Sequence, residues 1–95
     1  MRIRKTDQFL EWESTLADIR AQAHVQARIR RLGLGNPGDV RPVGEGVSEM
    51  RIHYGPGYRV YYRQTACELV ILLVGGDKRS QKADIALAKA LAKEL

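Results

Sequence analysis

The chain has 95 residues, 44% hydrophobic and 28% charged, which describes one ordinary globular domain over 1–95 and not a disordered chain. At that length folding buries roughly 60–65% of the unfolded surface, so a real core is within reach. A formal charge of +5 and a pI near 9.7 point to a polyanionic partner, either nucleic acid or an acidic protein; the alternative is charge that only aids solubility. The longest apolar run, Leu69 to Val74, has strand length, well short of the ~20 residues of a membrane span. Met1-Arg2-Ile3-Arg4-Lys5 has no apolar stretch behind it, so no signal peptide is expected. A lone cysteine, Cys67, forms no internal disulfide, and a reducing, cytoplasmic location follows as the expectation. Two separated histidines match no zinc spacing and the acids no calcium loop; neither metal nor cofactor is expected.

Arg2-Ile3-Arg4 reads as a short first strand, and Thr6 as the N-cap of a helix whose Phe9, Trp12 and Leu16 share one buried stripe. Asp18 reads as a second N-cap, with a bend near Leu16-Ala17. The second helix buries Ala21, Val25, Ile29 and Leu32, and Gly33 is expected to end it in a left-handed conformation. Its other side carries Arg20, His24, Arg28 and Arg31, either a face that tracks phosphates or a solvated surface. Residues 33–46 (GLGNPGDVRPVGEG) are so dense in glycine and proline that neither helix nor strand is expected there. The Gly-Lys-Ser/Thr ending of a phosphate-cradling P-loop is absent.

Residues 49–81 organise the rest. From Glu49 to Tyr54 the pattern alternates, Met50, Ile52 and Tyr54 against Glu49, Arg51 and His53; Gly55-Pro56-Gly57 breaks it as a hairpin turn does. The next run alternates again, Tyr58, Val60 and Tyr62 against Arg59, Tyr61 and Arg63. Folded back, the hairpin is expected to gather Arg51, His53, Arg59, Tyr61 and Arg63 on one basic, aromatic face. Such a face binds a nucleic acid backbone or simply carries solvated charge. Residues 68–74 are apolar on both sides, as a covered central strand requires. Cys67 at its start reads as a small, half-buried filler. Gly75-Gly76 ends the strand and Asp77-Lys78-Arg79-Ser80-Gln81 leads into a last helix. That helix packs through Ile85, Ala88 and Ala92, or through Leu87, Leu91 and Leu95.

RNA cleavage without a metal lies within the chemistry of such a face, because the 2′-hydroxyl of the substrate is itself the nucleophile. The protein has to orient it, remove a proton and stabilise the dianionic transition state. Arginine suits the last task through its bidentate, permanently charged fork. Arg59 and Lys78 are the cations expected nearest the phosphate. His53, as an imidazole, is the side chain suited to proton transfer, and Tyr61 can stack on a base.

Three stretches, GNPGDVRPVGEGVSE, EMRIHYGPGYRVYY and LLVGGDKRSQKADI, together resemble the RelE/HigB-like toxins, in particular the phage-derived subgroup termed addiction module killer proteins. The resemblance runs from the Phe9/Trp12 helix to the Ile85 helix. It implies an α+β fold of order β-α-α-β-β-β-α, with a small, mainly antiparallel sheet packed by helices. It also implies the toxin half of a toxin–antitoxin pair, an endoribonuclease that cuts mRNA on the ribosome. Arg59 takes the position of the arginine in the family's Gly-Tyr-Arg hairpin. Arg51 and His53 take the basic pair on the preceding strand, and Lys78 or Arg79 the basic residue after the glycine turn. Arg51, His53, Arg59 and Lys78 are therefore the expected catalytic set, and Tyr61, Arg63, Arg79, Arg28 and Arg31 the expected RNA contacts. The implied partner, besides mRNA and ribosome, is an antitoxin of helix-turn-helix type. The chain departs from the family in having no aromatic after Tyr62, and the same fold hosts ParE-like toxins that bind DNA gyrase without cutting RNA.

Overall fold

The pattern of apolar residues folds into a five-stranded mixed sheet with helices on both faces, an α+β architecture, in a computed structural model that describes residues 1–66 and 68–95. Cys67 falls outside the described residues. In chain order the elements are β1 (Arg2–Lys5), α1 (Asp7–Ser14), α2 (Ile19–Gly33), β2 (Val40–Gly44), β3 (Val47–Ile52), β4 (Tyr58–Gln64), β5 (Leu69–Gly76), a 3-10 turn (Lys78–Ser80) and α3 (Gln81–Lys93). The strands lie in the order β1-β5-β4-β3-β2, and only β1 and β5 run parallel. After β1 the chain crosses one face through α1 and α2 and enters the far edge as β2. It then returns by successive antiparallel strands to pair β5 with β1.

Local chemistry sets the element ends. The Thr6 hydroxyl accepts from the Phe9 N–H at 3.0 Å and donates to the Leu73 carbonyl at 2.7 Å, so one cap fixes α1 to the sheet. Such a cap stabilises a helix by about 1 kcal/mol. Asp18 accepts from the Arg20 N–H at 2.8 Å to start α2 and also takes the Tyr54 hydroxyl at 2.9 Å. At the other end of α2 the sequence expectation needs correction. Gly33 lies within the helix, and the left-handed residue is Gly35, at φ +88. The Gly35 N–H reaches the Leu32 carbonyl and the Asn36 N–H the Arg31 carbonyl, the paired bonds of a Schellman ending.

The glycine-rich stretch holds a strand after all. β2 pairs antiparallel with β3 in the register Val40↔Met50 and Arg41↔Glu49, and shifts register between Pro42 and Gly44. Pro42 is tolerated because β2 is an edge strand with one side free of ladder bonds. Glu45 and Gly46 close the hairpin, both at positive φ as a type I′ turn demands. The element order is thus β-α-α-β-β-β-β-α, one strand more than the sequence pattern predicts.

Alternation along β3, β4 and β5 divides the core in two. Met50, Ile52, Val60, Tyr62, Val70 and Leu72 pack under Phe9, Leu16, Val25, Ile29 and Leu32 from the α1–α2 side. Val47, Tyr61, Ile71, Leu73 and Val74 pack under Ala88 and Ala92 of α3. Each large apolar side chain so buried contributes about 1.5–3 kcal/mol. α3 therefore uses its Ile85-Ala88-Ala92 stripe, with Leu91 half-buried, while Leu87 and Leu95 stay exposed. Trp12 lies against Phe9 and Tyr58 in the first core, at ring separations of 5.6 and 6.2 Å.

Candidate functional site

Arg51 and Arg59 are direct partners across the β3–β4 ladder, and the partner of Arg59 on β5 is Gly76. Like charges directly opposite on a sheet repel, so this pair has to be compensated by neighbouring anions. Arg51 donates through Nη2 to Asp39 Oδ1 at 3.2 Å. Arg59 donates through Nη1 to its own hairpin, the Gly57 carbonyl, at 2.7 Å, and its Nε sits 3.8 Å from Glu49 Oε2, beyond hydrogen-bond reach. The Nε atoms of both arginines are buried and have no hydrogen-bond partner among the described residues. Lys78 closes the cluster: a Cβ built on Gly57 would lie 3.1 Å from Arg59 Nη1 and 3.6 Å from Lys78 Cβ. Hairpin turn, Arg59 and Lys78 thus meet at one end of the sheet.

Two aspartates frame these cations. Asp77 accepts from the Arg79 N–H at 2.8 Å and from its guanidinium at 3.1 Å, and the hydrogen bond from the Arg79 side chain is the main reason its carboxyl stays below the usual range. Asp39 spreads its carboxylate over two partners: Oδ1 takes Arg51, and Oδ2 lies 2.6 Å from His53 Nε2. The bond to His53, ahead of the Arg51 charge, holds the Asp39 carboxyl below its ordinary value. His53 itself is 75% exposed, so its other ring nitrogen is open to solvent or substrate.

Beneath the arginines lies a carboxylate whose burial the alternation does not reveal. Glu49 is fully buried and accepts from Arg41 Nε at 2.9 Å, the Tyr61 hydroxyl at 2.9 Å and Gln81 Nε2 at 2.8 Å. Burial alone would push its pKa up; the bonds from Gln81, Tyr61 and Arg41 together outweigh that and hold it below normal. Its partners come from β2, β4 and α3, so one carboxylate ties three elements under the site.

The structure brings Arg51, His53, Arg59 and Lys78 together, with exposed Arg79 beside them, but reassigns other expected RNA contacts. Tyr61 is fully buried and bonded to Glu49, because the alanines of α3 close over it; it offers no stacking surface, and burial pushes its hydroxyl pKa up. Arg28 is only 8% exposed, since the loop before β2 passes over it. It donates to the Arg51 carbonyl at 2.5 Å and the Pro37 carbonyl at 2.9 Å, and burial lowers its pKa. Arg63 donates to the Ala92 carbonyl at 2.9 Å and so fastens the end of α3. Arg31 is exposed, but on α2, across the sheet from Arg59. Of the basic helix stripe, His24 stacks on Tyr54 at 4.4 Å. No His/Cys/Asp/Glu group among the described residues has the arrangement of a metal site, and no helix there is long and apolar enough to cross a membrane.

Asp39 and Glu49 are the residues that sequence reasoning passes over. Asp39 hides in a stretch that reads as structureless, and Glu49 looks like any outward residue of an alternating strand. No protein-family model matches the chain. A protein of Haemophilus influenzae, described as an uncharacterized protein, is 50% identical over 95 residues, covering 100% of this chain and 96% of that relative. With that identity along its whole length, the chain belongs to one family with the Haemophilus protein.

Proposed function

We propose that the protein is the toxin of a toxin–antitoxin pair with a RelE-like fold, an endoribonuclease that cuts mRNA on the ribosome. The observation that carries this reading is the facing Arg51–Arg59 pair with Lys78 beside it and a histidine at its rim. The two guanidinium groups keep part of their surface open, 34% for Arg51 and 12% for Arg59, and such permanently charged forks match the oxygens of a phosphodiester. In this scheme Arg51, Arg59 and Lys78 hold the scissile phosphate and the charge that grows on it. His53 takes the proton of the attacking 2′-hydroxyl. The reaction proceeds in the cytoplasm, where the ribosome presents the message. An antitoxin, a small helix-turn-helix protein with an acidic segment, silences the toxin by covering the same three cations.

The test is inducible expression of wild type and Arg59→Ala with 5′-end mapping of cellular mRNA. Growth arrest with new cuts inside translated frames, both absent in the variant, is the expected result. Arrest without cuts would overturn the nuclease reading in favour of a non-catalytic, gyrase-binding toxin.

A further inference from the structure

We infer that Asp39 is the positioning residue for His53, forming with it a carboxylate–imidazole dyad that presents the free ring nitrogen, Nδ1, to the 2′-hydroxyl. This rests on the RNA-cleavage reading and deepens it. The Asp39 carboxylate, an acceptor only, lies 2.6 Å from Nε2. A neutral imidazole in that contact must carry its proton on Nε2, which leaves the lone pair on Nδ1. Asp39 thereby does for His53 what an orienting carboxylate does for any histidine base: it selects the tautomer, fixes the ring and stabilises the imidazolium that forms.

The backbone under Asp39 is built to hold it. Buried Arg28 grips the Pro37 carbonyl at 2.9 Å and the Arg51 carbonyl at 2.5 Å, with the Asp39 carbonyl at the margin, 3.5 Å. The Arg51 N–H returns a bond to the Asp39 carbonyl at 3.0 Å. Gly38 between them sits at φ +72, and a Cβ there would come 2.9 Å from Arg28 Nη2. Only glycine meets both demands. A buried guanidinium and an obligatory glycine thus pre-set one short turn, and the side chain that turn delivers bridges Arg51 and His53. Base and phosphate-binding arginine are thereby held to one carboxylate, which is how a catalytic geometry is kept rigid.

In the reaction the O2′–P bond forms as the 2′-hydroxyl proton passes to Nδ1. The P–O5′ bond breaks, and the departing 5′-oxygen takes a proton from water, giving a 2′,3′-cyclic phosphate and a 5′-hydroxyl.

Asp39→Asn tests this, because the amide keeps an oxygen for Arg51 but can turn an N–H toward His53. Nε2 would then accept and the proton would move to Nδ1. Two readouts decide the matter. In ribosome-bound mRNA cleavage by primer extension, Asp39→Asn should lose about 100-fold in rate in the wild-type background. It should lose less than about two-fold in a His53→Ala background. Nitrogen-15 spectra of the His53 ring at alkaline pH, separated from His24 by a His24→Gln variant, should show Nε2–H in wild type and a shift toward Nδ1–H in Asp39→Asn. Equal losses in both backgrounds, or an unmoved tautomer, would overturn the role of Asp39. Should wild type cut no mRNA, the nuclease reading falls, and the ring spectra alone decide whether Asp39 sets the tautomer. Asp39→Ser, too short to reach the ring, repeats the ring spectra should Asn perturb folding, and an unchanged Nε2–H tautomer there would equally overturn the role of Asp39.

Discussion

The Tyr61 hydroxyl donates to Glu49 Oε2 at 2.9 Å, and both side chains are fully buried between the sheet and α3. This bond turns an expected base-stacking tyrosine into part of the floor of the site. Tyr61→Phe should therefore cost stability, about 1.5–3 kcal/mol for a lost hydrogen bond to a buried charge. It should leave the affinity for RNA near wild type. Urea unfolding and an RNA-binding isotherm check the two halves, and a large loss of RNA affinity without unfolding would return Tyr61 to the binding surface.

Glu49 also dictates an acid limit. Its folded-state pKa lies below the ordinary 4.5, so the folded chain binds fewer protons at this group than the unfolded chain. Its contribution to stability is fully present above 4.5 and is lost as pH falls through the lowered folded value. Glu49→Gln should be less stable than wild type at neutral pH, and the gap should close as the pH drops through that window. Chemical denaturation at a series of pH values measures it; a constant gap down to strong acid would contradict the linkage.

Arg28 separates the two meanings of a basic helix stripe. Arg28→Ala should cost about 2–4 kcal/mol, since it removes a buried donor to two carbonyls, whereas Arg31→Ala should stay within about 0.5 kcal/mol. In the Arg28 variant, amide exchange should quicken around Asp39 and Arg51 before it does elsewhere. Exchange that quickened uniformly would show that Arg28 serves the whole fold and not the turn under His53.

These cases show what the sequence could and could not disclose. Thr6, Asp18, the Phe9 stripe and the alternation of β3 and β4 were legible because each depends on neighbours within a few residues. That Arg51 and Arg59 share a face followed from the hairpin alone; their direct pairing is set by the register. Arg28 misled because its spacing from Arg20 and His24 is that of a solvent face, while the loop that covers it comes from a stretch rich in glycine and proline. β2 was lost in that same stretch, its pairing supplied by β3 and not by its own propensity. Tyr61 and Glu49 face outward in a lone hairpin and become interior only when α3 lands on them. Contacts made at long range are what local periodicity omits.

Asp84 has its pKa shifted the opposite way to that of Glu49 and gives the sharpest test of the packing of α3. Its carboxylate takes the Ser80 hydroxyl at 2.6 Å and rests so close to Gly76 that any side chain there would collide with it. Burial, with the nearby Asp77 charge, raises its pKa above the ordinary 3.8, against the Ser80 bond that lowers it. The folded chain therefore binds this proton more tightly than the unfolded one. At neutral pH the ionised group costs stability, and the cost fades as pH falls through the raised value toward 3.8. Asp84→Asn, which keeps an acceptor for Ser80 and removes the desolvated charge, should gain about 0.5–1 kcal/mol at neutral pH and lose that gain in acid. Gly76→Ala, which displaces Asp84 by contact and not by charge, should lower the melting temperature at every pH. If Asp84→Asn instead melts below wild type at neutral pH, the carboxylate is needed in its charged form at the start of α3, and the packing argument fails.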